Sequence, residues 1–245
     1  MNWIPTSDSG WSVNSDPWHF EAIGTLESPF RQKFGIPRQP GLAPVSATLR
    51  LHPPHDRPEA LRGLDGFSHL WLLFVFHGHR PSGHTTVRPP RLGGRERLGV
   101  FATRSSHRPN PIGLSAVRLL EIDAASGRLH LEGADLLHGT PILDIKPYVP
   151  YADAIPDAEA GFAPSAPQRR PVRFAAAAEA VLARQPNGES LRRELSSVVA
   201  LDPRPAHQSG EARSYRMRYR EFDVVMDFGD EVVTVTALDD PGPST

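Results

Sequence analysis

The run Ser68-His-Leu-Trp-Leu-Leu-Phe-Val-Phe-His-Gly78 is apolar without a break from residue 70 to residue 76. Its length and its polar and glycine borders suit a fully buried strand better than a helix. On the N-terminal side, residues 45–51 alternate, with Val45, Ala47, Leu49 and Leu51 on one face, and residues 20–26 keep a mostly two-residue rhythm. Between these two strands, residues 35–44 carry Pro37, Pro40 and Pro44 with Gly35 and Gly41, which excludes helix and forces an extended loop with a turn. On the C-terminal side, residues 97–103, 115–122, 128–134 and 142–149 read as further short strands separated by Pro, Gly or Asp turns. So many short strands with so few helical periods predict a mainly β barrel or sandwich.

The composition changes after Tyr151. Residues 153–171 are rich in Pro, Ala and Asp with little periodicity, as in a linker or an extended wrap. Residues 174–183 and 189–201 then read as two helices, and 215–219, 222–228 and 231–238 as strands, with Gly229-Asp230 at the place of a hairpin turn. This predicts a small α+β unit. The opening residues, rich in Ser, Asp, Asn and Gly, lack the basic start and apolar middle of a secretory signal and read as a disordered leader. The expected division is therefore a leader at 1–19, a β domain at 20–157 and an α+β domain at 158–241.

At 245 residues, one large domain with a smaller one is the natural arrangement. The absence of cysteine excludes thiolate metal sites and thiol chemistry, and fits a reducing compartment. No apolar run approaches the roughly 20 residues that cross a bilayer, so a cytoplasmic protein without membrane contact is expected. A net charge of −1 argues against a chain that is basic all over. Locally, however, Arg88, Arg91, Arg95, Arg97, Arg104 and Arg108 face only Glu96, and this cluster reads either as a solvated loop or as a phosphate-binding surface.

The common cofactor fingerprints are missing. Arg91-Leu-Gly-Gly94 allows close backbone approach, but there is no dinucleotide fingerprint, phosphate loop or nucleophile elbow. His69, His77, His79 and His84 cluster, and His77 and His79 would share a strand face. The zinc-hydrolase helix signature is lacking and no carboxylate falls among them, so surface or hydrogen-bonded histidines are expected rather than a metal site. In residues 99–113 a strand runs into a polar turn, where Asn110 is held between Pro109 and Pro111 and Gly113 offers a positive φ or room for a ligand. In residues 135–146 a Gly139-Thr140-Pro141 turn precedes a strand with Asp144 and Lys146 on one face, either as functional groups or as a buried structural ion pair.

Taken together these segments resemble the TsaA-like family, the TrmO tRNA adenine-N6 methyltransferases. The likeness is carried by Ile23-Gly24, Ser28-Pro-Phe30, Lys33-Phe-Gly-Ile-Pro-Arg-Gln-Pro-Gly-Leu42, Phe67-Ser-His-Leu-Trp71 and Phe76-His77. It continues in Val87-Arg-Pro-Pro-Arg-Leu-Gly-Gly94, Thr103-Arg-Ser105, Arg108-Pro-Asn-Pro-Ile-Gly113 and Asp144-Ile-Lys-Pro-Tyr148, and covers residues 20–157. Asp202-Pro-Arg-Pro205 is similar to the bacterial branch, which carries an extra domain.

The resemblance implies a single-sheeted β-barrel-like methyltransferase domain that works as a homodimer, with S-adenosylmethionine held near the subunit interface. It implies as substrate the threonylcarbamoyl-modified adenosine at position 37 of tRNA, beside the anticodon, whose N6 receives the methyl. By motif, Pro40, Gly41, Leu42, Phe76, His77, Arg104, Gly139, Thr140 and Pro141 would contact the cofactor. Arg38, Arg88, Arg91, Arg108, Asn110, Lys146 and Tyr148 would contact the anticodon stem-loop, the arginines through its phosphates. Asp144 is the candidate to accept the N6 proton or orient the base, with Lys146 steering its pKa. In the C-terminal unit, Tyr215, Arg216, Arg218 and Tyr219 combine charge with stacking surface for the anticodon arm, or are an ordinary edge strand.

Overall fold

Six strands close into a barrel: β1 (Gly24–Glu27), β2 (Ser46–Leu51), β3 (His69–Val75), β4 (Ile112–Asp123), β5 (Arg128–Glu132) and β6 (Thr140–Pro147). The order around the ring is β6-β1-β2-β5-β4-β3, every pairing is antiparallel, and β3 pairs with β6 to complete it. Closure leaves no strand edge in this sheet open to another chain. The computed structural model describes residues 19–78, 83–204 and 214–239, together with the backbone pairing of Ile4–Pro5 with Trp11–Ser12. Apart from that pairing and His19, the expected leader lies outside the described residues, as does His79.

The barrel interior is filled by alternate residues of every strand, among them Leu26, Leu49, Leu70, Leu72, Phe74, Val117, Leu129, Leu131 and Ile142, all buried. The apolar run that predicts a fully buried strand instead alternates. Leu70, Leu72 and Phe74 point inward, while Trp71, Leu73 and Val75 lie half-buried on the outer wall. A barrel has one inner face, so every second residue of the run must face out. Gly113, opposite Phe74 in the register, has ordinary φ; a Cβ there would overlap the Phe74 ring, so it serves close packing of that ring and not a left-handed turn.

The predicted strand at 97–103 is corrected. Only Leu98–Gly99 pairs, with Thr86–Val87, and the chain then tightens into a 3-10 turn, Val100–Ala102, which buries Val100 and turns Phe101 out to solvent. After β6 comes a single helical turn, α1 (Pro150–Asp153).

The C-terminal sheet contains β7 (Val172–Phe174), β8 (Ser214–Tyr219), β9 (Phe222–Phe228) and β10 (Val233–Asp239), in the order β7-β10-β9-β8. Helices α2 (Ala176–Leu182) and α3 (Gly188–Val199) pack against it. α3 buries Leu191, Leu195, Val198 and Val199, a stripe at helical spacing that burial alone would make amphipathic. β8 is at the edge of this sheet, one of the two alternatives its sequence left open; β7, a three-residue strand parallel to β10, is too short to show a period.

The core of this second unit takes in Phe30, Ala43 and Val45 from the connection between β1 and β2. Glu194 of α3, 2% exposed, ties the two cores together. Its carboxylate accepts from the Ser46 hydroxyl at 2.9 Å, the Tyr219 hydroxyl at 2.9 Å and the Arg220 guanidinium at 2.8 Å.

Candidate functional site

In an antiparallel barrel traced strand after strand, alternate connections emerge at the same end. Residues 28–45, 76–111 and 133–139 therefore share one rim, and residues 52–68 and 124–127 lie at the other. Every residue expected to touch the cofactor belongs to the first rim: Pro40, Gly41 and Leu42 in one connection, Phe76, His77 and Arg104 in the next, and Gly139, with Thr140 and Pro141 opening β6, in the third.

Hydrogen bonds knit these connections together. The Arg104 guanidinium donates to the Gln39 side chain at 2.6 Å, and the Gly41 N–H donates to the Gly133 carbonyl at 2.9 Å. Lys33 reaches the Gly78 carbonyl at 2.8 Å, while the Phe76 N–H donates to Pro111 at 2.8 Å. The Phe76 ring stands edge-on to Phe74 with centroids 5.1 Å apart. Gly41 has φ +72°, and nothing stands within 4 Å of where its Cβ would be, so this turn shows an open backbone face at the rim. Thr140 differs from its neighbours in the motif: it is buried, its hydroxyl donates to the Leu137 carbonyl at 2.7 Å, and it holds the turn shut from within.

Asp135, on the third rim connection, and Ser115, inside the barrel on β4, escape a reading of the sequence. Asp135 accepts a 2.6 Å hydrogen bond from Ser115, a buried serine on the inner face of β4. Burial pushes the Asp135 carboxyl up to about 6, against the Ser115 hydrogen bond and the charge of Arg104, which draw it down. A serine among the inward apolar positions of β4 is the signal that would have singled out this pair.

The cations expected to meet RNA divide. Arg88 is exposed on the 76–111 connection with Asn110. Arg91 donates to the Ser165 carbonyl at 2.6 Å, Arg38 to the Arg204 carbonyl at 3.1 Å, and Arg108 folds its own loop by donating to Thr103 at 3.2 Å. Each of these guanidinium groups is thus fixed in direction by a carbonyl.

Asp144, Lys146 and Tyr148 lie elsewhere on the barrel. Asp144 and Lys146 oppose Leu73 and Trp71 on the outer wall and form an ion pair at 3.1 Å, with side chains 47% and 62% exposed, so the predicted pair exists but is not buried. Tyr148 packs against Trp71 with centroids 5.5 Å apart, and its N–H donates to the His69 carbonyl, at the opposite end from the rim. At about 3.3 Å per strand residue, Asp144 is roughly 10 Å along the wall from Pro141 and Tyr148 roughly 23 Å. One protomer does not bring them together with the rim. Beside Asp144 this wall exposes Leu114 (52%) and Ile112, and Phe101, also exposed, follows from the neighbouring connection.

Among the described residues, no three His, Asp or Glu side chains converge as metal ligands, and no helix is long and apolar enough to cross a membrane. His69 is hydrogen-bonded to Ser68 and His52 to Thr25.

The same architecture is found among solved structures. TrmO from Pseudomonas aeruginosa superposes with a TM-score of 0.76 at 41% identity, covering 94% of this chain and all of that one. A protein of Escherichia coli K12 named tRNA (adenine(37)-N6)-methyltransferase is 46% identical over 226 residues, 88% of this chain and 96% of its own length. A Pseudomonas aeruginosa PAO1 protein named putative S-adenosylmethionine-dependent methyltransferase RcsF is 50% identical over 209 residues, 82% of this chain and 89% of its own. Residues 25–154 match the tRNA-methyltransferase O N-terminal domain, and residues 167–241 match the TrmO C-terminal domain. The chain belongs to the tRNA-methyltransferase O family.

Proposed function

We propose that this chain transfers the methyl group of S-adenosylmethionine to N6 of adenosine 37 in tRNA, and that its acceptor is the threonylcarbamoylated form of that adenosine. Family membership and the names of its relatives support the reaction class. The observation that carries the site is the meeting at one rim of the open Gly41 turn, the Arg104 guanidinium and the Asp135 carboxyl.

That donor set fits the cofactor. Backbone N–H groups and a guanidinium fork suit a methionine carboxylate, an aromatic ring such as Phe76 suits an adenine face, and a carboxylate beside them complements a cation. When bound, S-adenosylmethionine supplies an already activated methyl. The chain's part is then alignment. Pro40, Gly41 and Leu42, with Phe76, His77, Arg104 and the 139–141 turn, hold the cofactor, and Arg38, Arg88, Arg91, Arg108 and Asn110 direct the anticodon arm through its backbone. The threonylcarbamoyl group makes N6 part of a urea, lowering its nucleophilicity while easing loss of its proton. Asp144, with Lys146 at 3.1 Å, is our candidate to take that proton, and Tyr148 to support the base. Full turnover by Asp144→Asn would remove Asp144 from this role.

Asp144 stands away from its own rim, so this assignment needs a second copy. We propose a homodimer seated on the apolar outer wall around Ile112 and Leu114, which would set the Asp144 wall of one barrel near the rim of the other. The large exposed side chains there support this reading.

The test is methyl incorporation from labelled S-adenosylmethionine into tRNA that carries or lacks the threonylcarbamoyl group, followed by nucleoside mass analysis. A gain of one methyl on the modified adenosine alone is the expected result. Equal transfer to both tRNAs would refute the acceptor, and no transfer to either would refute the reaction.

A further inference from the structure

The C-terminal unit lies along the whole connection from Pro29 to Ser46, the segment that bears the Gly41 turn. Its contacts follow in sequence order. The Arg220 N–H donates to the Pro29 carbonyl at 2.7 Å, and Tyr219 meets Phe30 edge-on with centroids 5.6 Å apart. Tyr215 stacks on Phe34 at 6.0 Å, Met217 packs on Gly35, and the Arg204 carbonyl receives Arg38. The Arg169 guanidinium donates to the Leu42 carbonyl, and Glu194 receives Ser46.

The spacing of these contacts is informative. Those at Pro29, Phe30 and Gly35 are buried and would serve any packing of two units, and the exposed Ser46 ends on the buried carboxylate of Glu194. The Arg169 contact is different: Arg169 is an exposed residue of the segment before β7, its guanidinium reaches a main-chain carbonyl, and that carbonyl belongs to the residue next to Gly41. A left-handed glycine turn with open space over it has little of its own to keep its shape. On the barrel side Gly41 is held by one bond, to Gly133, and on the other side the turn is held by Arg169.

We propose that the C-terminal unit shapes the cofactor site, and that Arg169 is a positioning residue that fixes the Pro40-Gly41-Leu42 turn through the Leu42 carbonyl. This rests on the reading that this turn holds S-adenosylmethionine. It assigns the unit a task other than gripping RNA: it preorganises backbone N–H groups, and their order is felt as cofactor affinity.

The experiment uses the full chain and measures S-adenosylmethionine and S-adenosylhomocysteine binding by calorimetry, with tRNA binding measured separately. Arg169→Ala is expected to weaken binding of both small ligands roughly three- to tenfold, the range for the net loss of one ordinary hydrogen bond, because the bond acts on the turn and not on the ligand, and to leave tRNA affinity unchanged. Arg169→Lys, which can still donate to a carbonyl, should recover part of the loss. In steady-state assays the KM for the cofactor should rise while kcat holds. Gly41→Val provides the control, because a side chain there is strained at φ +72°. If Gly41→Val loses cofactor binding and Arg169→Ala does not, the positioning role is refuted and the site stands. If neither variant changes cofactor affinity, the site reading itself falls, and the proposal with it.

Discussion

Arg104 and Gln39, 65 residues apart in the chain, are joined by a 2.6 Å hydrogen bond that links the two longest connections of the barrel rim. The guanidinium, though exposed, is thereby held toward the Gln39 connection. Arg104→Ala should weaken S-adenosylmethionine binding by about tenfold or more, as expected for a charge-assisted hydrogen bond to a ligand carboxylate. Gln39→Ala, which frees the guanidinium but keeps its charge, should cost less. Calorimetric titration of both variants decides this, and equal losses would mean that Gln39 itself contacts the ligand.

Asp135 makes the rim sensitive to pH. Its carboxyl binds a proton up to about 6 in the folded chain, against an ordinary value of 3.8, so the fold holds the extra proton between roughly pH 4 and 6. Stability therefore falls as pH rises through that window, and below it both states are protonated and the difference vanishes. Asp135→Asn should flatten the dependence of Tm on pH between 4 and 6.5 and raise stability at pH 7 by up to about 3 kcal/mol. A loss of cofactor affinity in the same variant would show that the rim tolerates this cost for function. An unchanged pH profile would place the titration on another group.

Glu194 carries the hydrogen bonds of three side chains, and removing it would leave Arg220 and Tyr219 without their buried acceptor. Glu194→Ala should destabilise the chain by about 3 kcal/mol, a fall in Tm of roughly 6–12 °C. Glu194→Gln, which still accepts, should fall less far. Thermal melts of the three proteins measure this directly, and a neutral Glu194→Ala would show that the network is replaced by water.

Leu114→Glu places a charge in the exposed strip of the outer wall. If that strip seats a second copy, the variant should sediment as a monomer while its circular dichroism stays that of the wild type. Methyl transfer should fall with it. A wild type that is itself monomeric at micromolar concentration would overturn the dimer.

Much of the fold was legible because strands announce themselves by alternation. Val45, Ala47, Leu49 and Leu51 and the strand at 222–228 are read correctly from period alone. The 97–103 segment misled because Leu98, Val100 and Ala102 alternate with residues of a strand-like pattern, while the backbone obeys the buried Val100 and closes a turn. β7 is silent in the sequence because three residues carry no period, and its place is set by pairing with β10, some 60 residues later in the chain. At the rim we propose as the cofactor site, the motifs supply Gly41, Phe76 and Arg104, but not Ser115 and Asp135, whose relationship exists only after β4 and the 133–139 connection meet. Nor does spacing along β6 reveal the irregularity between Ile142 and Asp144, which sets Asp144 opposite Leu73 on the outer wall.

Phe30, Ala43 and Val45 lie in the connection of one unit and the core of the other. The two units are therefore not exchangeable parts. A barrel of this kind that dispensed with its C-terminal companion would bare an oily strip along the very loop that carries the Gly41 turn, and it would survive only by rewriting that loop in polar residues. The history of the second unit should thus be written in residues 30–45, where gain or loss of the companion must coincide with a change of polarity in a segment that the companion does not itself encode.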